Sequence, residues 1–196
     1  MNPEIALSRT APEDGSTTFT PAQLGHRRLH RIVFSEESIQ RRVAELGREI
    51  AACYGPEDDV LVLGLLKGSF IFVADLVRQI RMPIQVDFLV ASSYGKGRVS
   101  SGEIKLWYNP GASIENRNVV LVEDIIDSGN TIQRVIPMLM EMNPASLELC
   151  TLLHKRLVRL PREARWVGFD APEEFLVGYG LDFAEDFRHL PYVGSI

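Results

Sequence analysis

A chain of 196 residues with 45% hydrophobic and 24% charged residues has the make-up of a globular domain with a full core, and its length favours one domain over two. A formal charge of −5 at pH 7 and a pI near 5.4 exclude nucleic-acid binding by bulk electrostatics, so any anion site must be local. Cys53 and Cys150 are too few and too far apart for a disulfide framework or a CxxC zinc site. No signal pattern opens the chain and no run approaches the ~20 apolar residues of a membrane span, so a cytoplasmic location without a membrane partner is expected.

Residues 1 to about 25 mix Pro, Ser, Thr, Glu and Asp without periodicity and are expected to form a mobile tail ahead of a single domain over 26–196. His26 and His30 stand four apart, but with no third ligand nearby they read as a solvated basic surface. Ser35 is a good N-cap for a helix whose apolar stripe is Ile39, Val43, Leu46 and Ile50, ended by Gly55-Pro56. Val60 to Leu66 follows as an uninterrupted apolar run, the pattern of a strand buried on both faces of a parallel sheet. It ends in Leu66-Lys67-Gly68-Ser69, and a helical stripe then runs through Phe70, Val73, Ala74, Val77 and Ile80 until Pro83 closes it. A lysine and a glycine at a strand's carboxyl edge, just before a helix, make an anion-binding turn, although a surface lysine in a turn is the plainer alternative.

Ile84 to Val90 reads as the next strand. The stretch 92–102, with Ser93 and Tyr94 near its start, is rich in Gly and Ser and long enough to be either a flap over a site or a simple linker. Ile104 to Tyr108 is strand-like, and Asn109-Pro110-Gly111 is a turn. Val119-Val120-Leu121-Val122 is again a buried strand, followed by Glu123 and Asp124, the aliphatic pair Ile125 and Ile126, a third acid at Asp127, and Ser128-Gly129-Asn130-Thr131. Gly129 permits a tight turn, and the free amides of the following helix start, with the hydroxyls of Ser128 and Thr131, offer a nest for a phosphate dianion. Acids beside an anion site are unfavourable unless they hold a metal, accept sugar hydroxyls or move a proton. The helix that follows has an apolar face of Ile132, Val135, Leu139 and Met142, with Pro137 expected to kink it or shift its start. Ala145 to Leu153 is a further buried strand ending at His154-Lys155-Arg156, where His154 alone reads as a surface histidine. The last third is a strand followed by an aromatic-rich tail.

The order of two hydrophobics, two acids, two aliphatics, an acid and a small-residue loop ending in Thr131 resembles the phosphoribosyl-diphosphate (PRPP) binding motif of purine phosphoribosyltransferases, most closely the hypoxanthine-guanine family. Phe175-Leu176-Val177-Gly178-Tyr179-Gly180-Leu181-Asp182 is similar to a second signature of that family, and the resemblance spans roughly residues 30–194. It implies an α/β fold in which a parallel central sheet is flanked by helices and a small hood is contributed by about 26–35 and 165–196.

The resemblance also implies roles. Glu123 and Asp124 would hold the ribose hydroxyls, directly or through Mg2+, with Asp182 as a further metal-site acid. Asp127, Ser128, Gly129, Asn130 and Thr131 would bind the 5′-phosphate. Lys67, Gly68 and Arg188 would meet the pyrophosphate, and the Leu66-Lys67 peptide is commonly cis in the family. Ser93 and Tyr94 match the flexible loop that closes over the reacting centre. On the purine side, Phe175 would stack, Lys155 would donate to the 6-oxo group, the Leu176 backbone would read the opposite edge, and Ile125 and Asp182 would complete the pocket. Asp127 would take or share the N7 proton as N9 attacks C1 of the ribose.

The implied activity is phosphoribosyl transfer from PRPP to hypoxanthine or guanine, giving IMP or GMP and pyrophosphate, by a homodimer or homotetramer that binds no nucleic acid. Two alternatives stand beside it: a PRPP-binding regulator without transferase activity, and a related transferase acting on xanthine or a pyrimidine. The acidic pI and the purine-side residues Lys155, Phe175 and Asp182 weigh against the regulator. The sequence departs from the family at Asn109, where an acid is common, and at His154, where Asp or Val is more usual.

Overall fold

The computed structural model describes residues 29–93, 104–108, 113–157, 159–160 and 162–196. The expected tail therefore lies outside the described residues, as do Tyr94, most of the 92–102 stretch and Asn109. Chain order begins with β1 (Arg31–Phe34), α1 (Glu36–Ala51), β2 (Val60–Leu66), α2 (Phe70–Val77), β3 (Gln85–Ser93) and β4 (Ile104–Tyr108). It continues with β5 (Asn118–Ile126), α3 (Asn130–Met140), β6 (Ser146–His154), β7 (Trp166–Asp170), β8 (Leu176–Val177) and β9 (Val193–Ser195).

Six strands form the central sheet in the order β4-β3-β2-β5-β6-β7, parallel except for β4, which pairs antiparallel with β3 at one edge. The apolar runs of β2 and β5 are buried on both faces, as continuous hydrophobicity requires. One face packs on α1 and α2, through Ile39, Val43, Phe72 and Leu76 against Val60, Val62, Val120 and Val122. The other packs on α3, through Ile132, Val135 and Leu139 against Leu61, Leu63, Val119 and Leu121. Helices on both faces of a mostly parallel sheet are the architecture the sequence implied. A second, antiparallel sheet of order β1-β9-β8 joins the start of the described chain to its end and forms the small hood. β7 belongs to the central sheet, so the C-terminal share of the hood follows it.

Ser35 caps α1 as expected, its Oγ accepting the Ser38 amide at 3.3 Å. The helix stops at Ala51, ahead of Gly55-Pro56, because the Cys53 amide turns back to Ile50 in a tighter turn. Likewise α2 ends at Val77, well before Pro83, with the Gln79 amide bonded to the Leu76 carbonyl. α3 passes through Pro137 without breaking. Gln133, whose carbonyl loses its helical partner to that proline, lies with Pro137 on the exposed face, where water can supply the missing donor.

Candidate active site

The strand order reverses at β2. The chain adds β3 and β4 on one side of it and then returns to place β5, β6 and β7 on the other. The carboxyl ends of β2 and β5 thus diverge into a crevice at a topological switch point, where open α/β sheets bind their ligands. A cavity of about 600 Å³ lies there. Its walls come from the Leu66-Lys67-Gly68 turn after β2, the end of β5, Lys155 after β6, and the hood residues Phe175, Leu176, Asp182 and Arg188.

The acids after Val122 are part of the strand and not of a loop, contrary to the expectation from the apolar run. β5 continues to Ile126 because β6 keeps pairing with it, Glu123 opposite Thr151 and Ile125 opposite Leu153. Strict alternation would send Glu123 and Asp124 to opposite faces. The phase instead changes between Val122 and Ile125: Val120, Val122 and Ile125 share one core, while Val119, Leu121 and Ile126 share the other. Both neighbouring carboxylates consequently reach the same cavity.

They are poor hosts for negative charge as they stand. Burial, then the adjacent Asp124, pushes the Glu123 carboxyl well above the usual carboxylate range, and burial also raises Asp124. Asp124 accepts the Ile125 amide at 2.9 Å, whereas the buried Oε2 of Glu123 has no hydrogen-bond partner among the described residues. Two desolvated carboxylates with an unpartnered oxygen suit a hard divalent cation. No group of three or more candidate ligands converges among the described residues, so Asp182 does not join the pair as a ready-made triad. Its oxygens are engaged elsewhere, by Arg188 at 2.8 Å and by the Glu185 amide at 2.8 Å.

The Leu66-Lys67 peptide is cis. Gly68 lies against Asp124, and a Cβ built on it would sit 1.6 Å from the carboxylate Oδ2. Lys67 pairs with Glu185 at 3.1 Å, and Arg188 reaches the same carboxylate at 3.4 Å. Glu185 was not apparent as a site residue in the sequence. Only the left-handed turn at Ala184 and Glu185 brings it round to the two cations.

Beyond β5, Gly129 takes a left-handed φ of 71° at the N-cap of α3, so the amides that open the helix follow directly on Asp127 and Ser128. Asp127 and Thr131 line the cavity, with Ser128, Gly129 and Asn130 beside them in the chain. After the neighbouring strand β6, Lys155 is nearly buried, its side chain 7% exposed, and its Nζ donates to Asp127 Oδ2 at 3.0 Å. Phe175 is half exposed, lines the same cavity and meets Phe183 edge to face at 5.7 Å. Leu176 is buried in β8, paired with Ser195. Ile125 lines the same wall. Ser93 ends β3.

The phosphoribosyl transferase domain family matches residues 34–184. The hypoxanthine phosphoribosyltransferase of Salmonella typhimurium is 47% identical over 169 residues, 84% of this chain and 94% of the relative. The hypoxanthine-guanine phosphoribosyltransferase of Dictyostelium discoideum is 41% identical over the same coverage of each chain. A crystal structure of a hypoxanthine phosphoribosyltransferase from Staphylococcus aureus superposes with a TM-score of 0.80 at 39% identity, covering 87% of this chain and 93% of that one. The chain belongs to the phosphoribosyl transferase family. Within it, the similarity runs to hypoxanthine phosphoribosyltransferases over nearly their whole length.

Proposed function

We propose that the protein is a purine-salvage transferase that moves the 5-phosphoribosyl group of PRPP to N9 of hypoxanthine or guanine, releasing pyrophosphate. The observation that carries this reading is the Lys155–Asp127 pair, a cation and a carboxylate 3.0 Å apart in the cavity that Phe175 also lines. O6 and N7 are neighbours on one edge of a 6-oxopurine. Lys155 donates to O6, Asp127 takes or shares the N7 proton, and Phe175 covers the ring. Adenine presents an amino donor to Lys155, and that repulsion rejects it.

The open amides and Thr131 at the start of α3 bind the 5′-phosphate, and Glu123 and Asp124 bind the ribose hydroxyls. Lys67 and Arg188 exchange Glu185 for the departing pyrophosphate. Glu123 and Asp124 would hold Mg2+, which would neutralise charge on the departing pyrophosphate. Asp182 assists once Arg188 lets it go.

The test offers hypoxanthine, guanine, xanthine and adenine separately with PRPP and Mg2+, and separates nucleotide from base. Nucleotide from hypoxanthine or guanine but not adenine is expected. PRPP binding with no nucleotide from any base would instead support a regulator, and conversion of xanthine alone would move the substrate.

The chain is also expected to assemble with a second copy. Val86 and Phe88 alternate on one face of β3 at 43% and 37% exposure, apolar surface that a partner would cover. Sedimentation should give at least twice the 22.0 kDa chain mass. Val86→Asp should shift it toward the single chain, and an unshifted mass would place the contact elsewhere.

A further inference from the structure

His154 is the last residue of β6, and its structural position differs from the surface histidine the sequence suggested. It is 1% exposed. Its Nδ1 accepts the backbone N–H of Arg156 at 2.8 Å, and Arg156 takes a left-handed φ of 58°. An imidazole that accepts at Nδ1 carries its proton on Nε2, and Nε2 has no partner among the described residues. The ring is therefore held for what Nδ1 does.

Between His154 and Arg156 lies Lys155. The Lys155 amide donates to the Ile126 carbonyl at 3.0 Å, tying one side of the turn to β5. The His154 carbonyl accepts the Ala171 amide at 2.9 Å, tying it to the end of β7. The ring closes the remaining side by fixing the backbone just past the lysine. We propose that His154 is a positioning residue for Lys155: by accepting the Arg156 amide, its imidazole fixes the turn that aims the lysine at the base. This rests on the assignment of Lys155 to the purine.

The device works only while the ring is neutral. Protonation puts a hydrogen on Nδ1 and sets donor against donor. Burial, then the Arg156 cation, holds the imidazole below its usual range, against the opposing pull of Glu163 and Asp170. From β5 the facing residue is the uncharged Ile126, and Asp127 beyond it is engaged by Lys155. Above the ordinary imidazole pKa the turn is fully held. It is lost as pH falls through the lowered value.

The test measures KM for the base, KM for PRPP and kcat for wild type, His154→Leu and His154→Asn across pH 5–8, with melting temperatures. Leucine keeps bulk but cannot accept, whereas the Asn side-chain oxygen can accept the amide two residues on. His154→Leu should raise the base KM about tenfold while kcat and the PRPP KM stay within about twofold, and His154→Asn should restore the base KM. Wild-type base KM should rise in the acid range, and the His154→Asn value should stay flat there. Should the leucine variant fail to fold, the acid profiles of wild type and His154→Asn decide alone. Equal changes in both KM values, no rescue by Asn, or identical acid profiles would overturn the proposal. Lys155→Met is the control: an unchanged base KM there would refute the role of Lys155 in base binding and not the turn.

Discussion

Replacing Asp127 by asparagine should slow turnover by about 10²–10⁴, the range expected for a lost general base, while PRPP binding stays near wild type. Asparagine retains an oxygen that can accept from Lys155, so the 3.0 Å contact and the wall it builds should survive. What is lost is the ability to hold the N7 proton while N9 forms its bond to the ribose. The half-exposed position of Asp127 keeps that replacement from burying an unpaired group, so stability should change little. Steady-state kinetics with both substrates, alongside calorimetric titration of PRPP, separates the two effects. Wild-type turnover in the variant would remove Asp127 from the chemistry.

The second large effect is expected at a residue with no side chain. In Gly68→Ala the new methyl would meet Asp124 Oδ2 at 1.6 Å, a distance that cannot be accommodated without moving one partner. Gly180 also approaches this turn closely, since a Cβ built on it would lie 2.0 Å from the Gly68 carbonyl oxygen. The displacement must therefore fall on the Asp124 carboxylate or on the turn that carries Lys67. Misplacement of about 1 Å in positioning groups costs on the order of 10²-fold, and kcat/KM for PRPP should fall by about that much. Gly55→Ala, whose Cβ would find its nearest neighbour at an ordinary 3.7 Å, should behave as wild type. Wild-type kinetics for Gly68→Ala would show that Asp124 can shift without consequence.

The parts of the fold that rest on local pattern were legible in advance. Continuous apolar runs marked β2, β5 and β6, and 3.6-residue stripes marked α1 and α3. The helix ends were less legible, because the tighter turns after α1 and α2 depend on backbone bonds that no proline or glycine announces. The length of β5 was missed for a related reason: Glu123 and Asp124 look like loop residues until the pairing of β6 holds them in the ladder. The family resemblance assigns Lys67, Asp127, Lys155, Phe175 and Arg188 to one site, and the reversal of strand order at β2 brings them to one cavity. Glu185 escaped because its contact with Lys67 is made by a fold of the hood across 118 positions of sequence. His154 was misjudged because burial at a strand's end depends on the loop that covers it.

The close approach of Gly180 to Gly68 has a thermodynamic side. Gly180 belongs to the segment that carries Phe175 and Asp182, and its amide and carbonyl are both tied to Arg188, at 2.9 and 2.8 Å. The hood segment and the Leu66-Lys67-Gly68 turn, proposed above to face the base and the pyrophosphate, thus approach each other through two glycines. A ligand that shifts one would press on the other, and any such coupling is reciprocal by necessity. On the proposed assignment, purine affinity measured with and without PRPP should therefore differ.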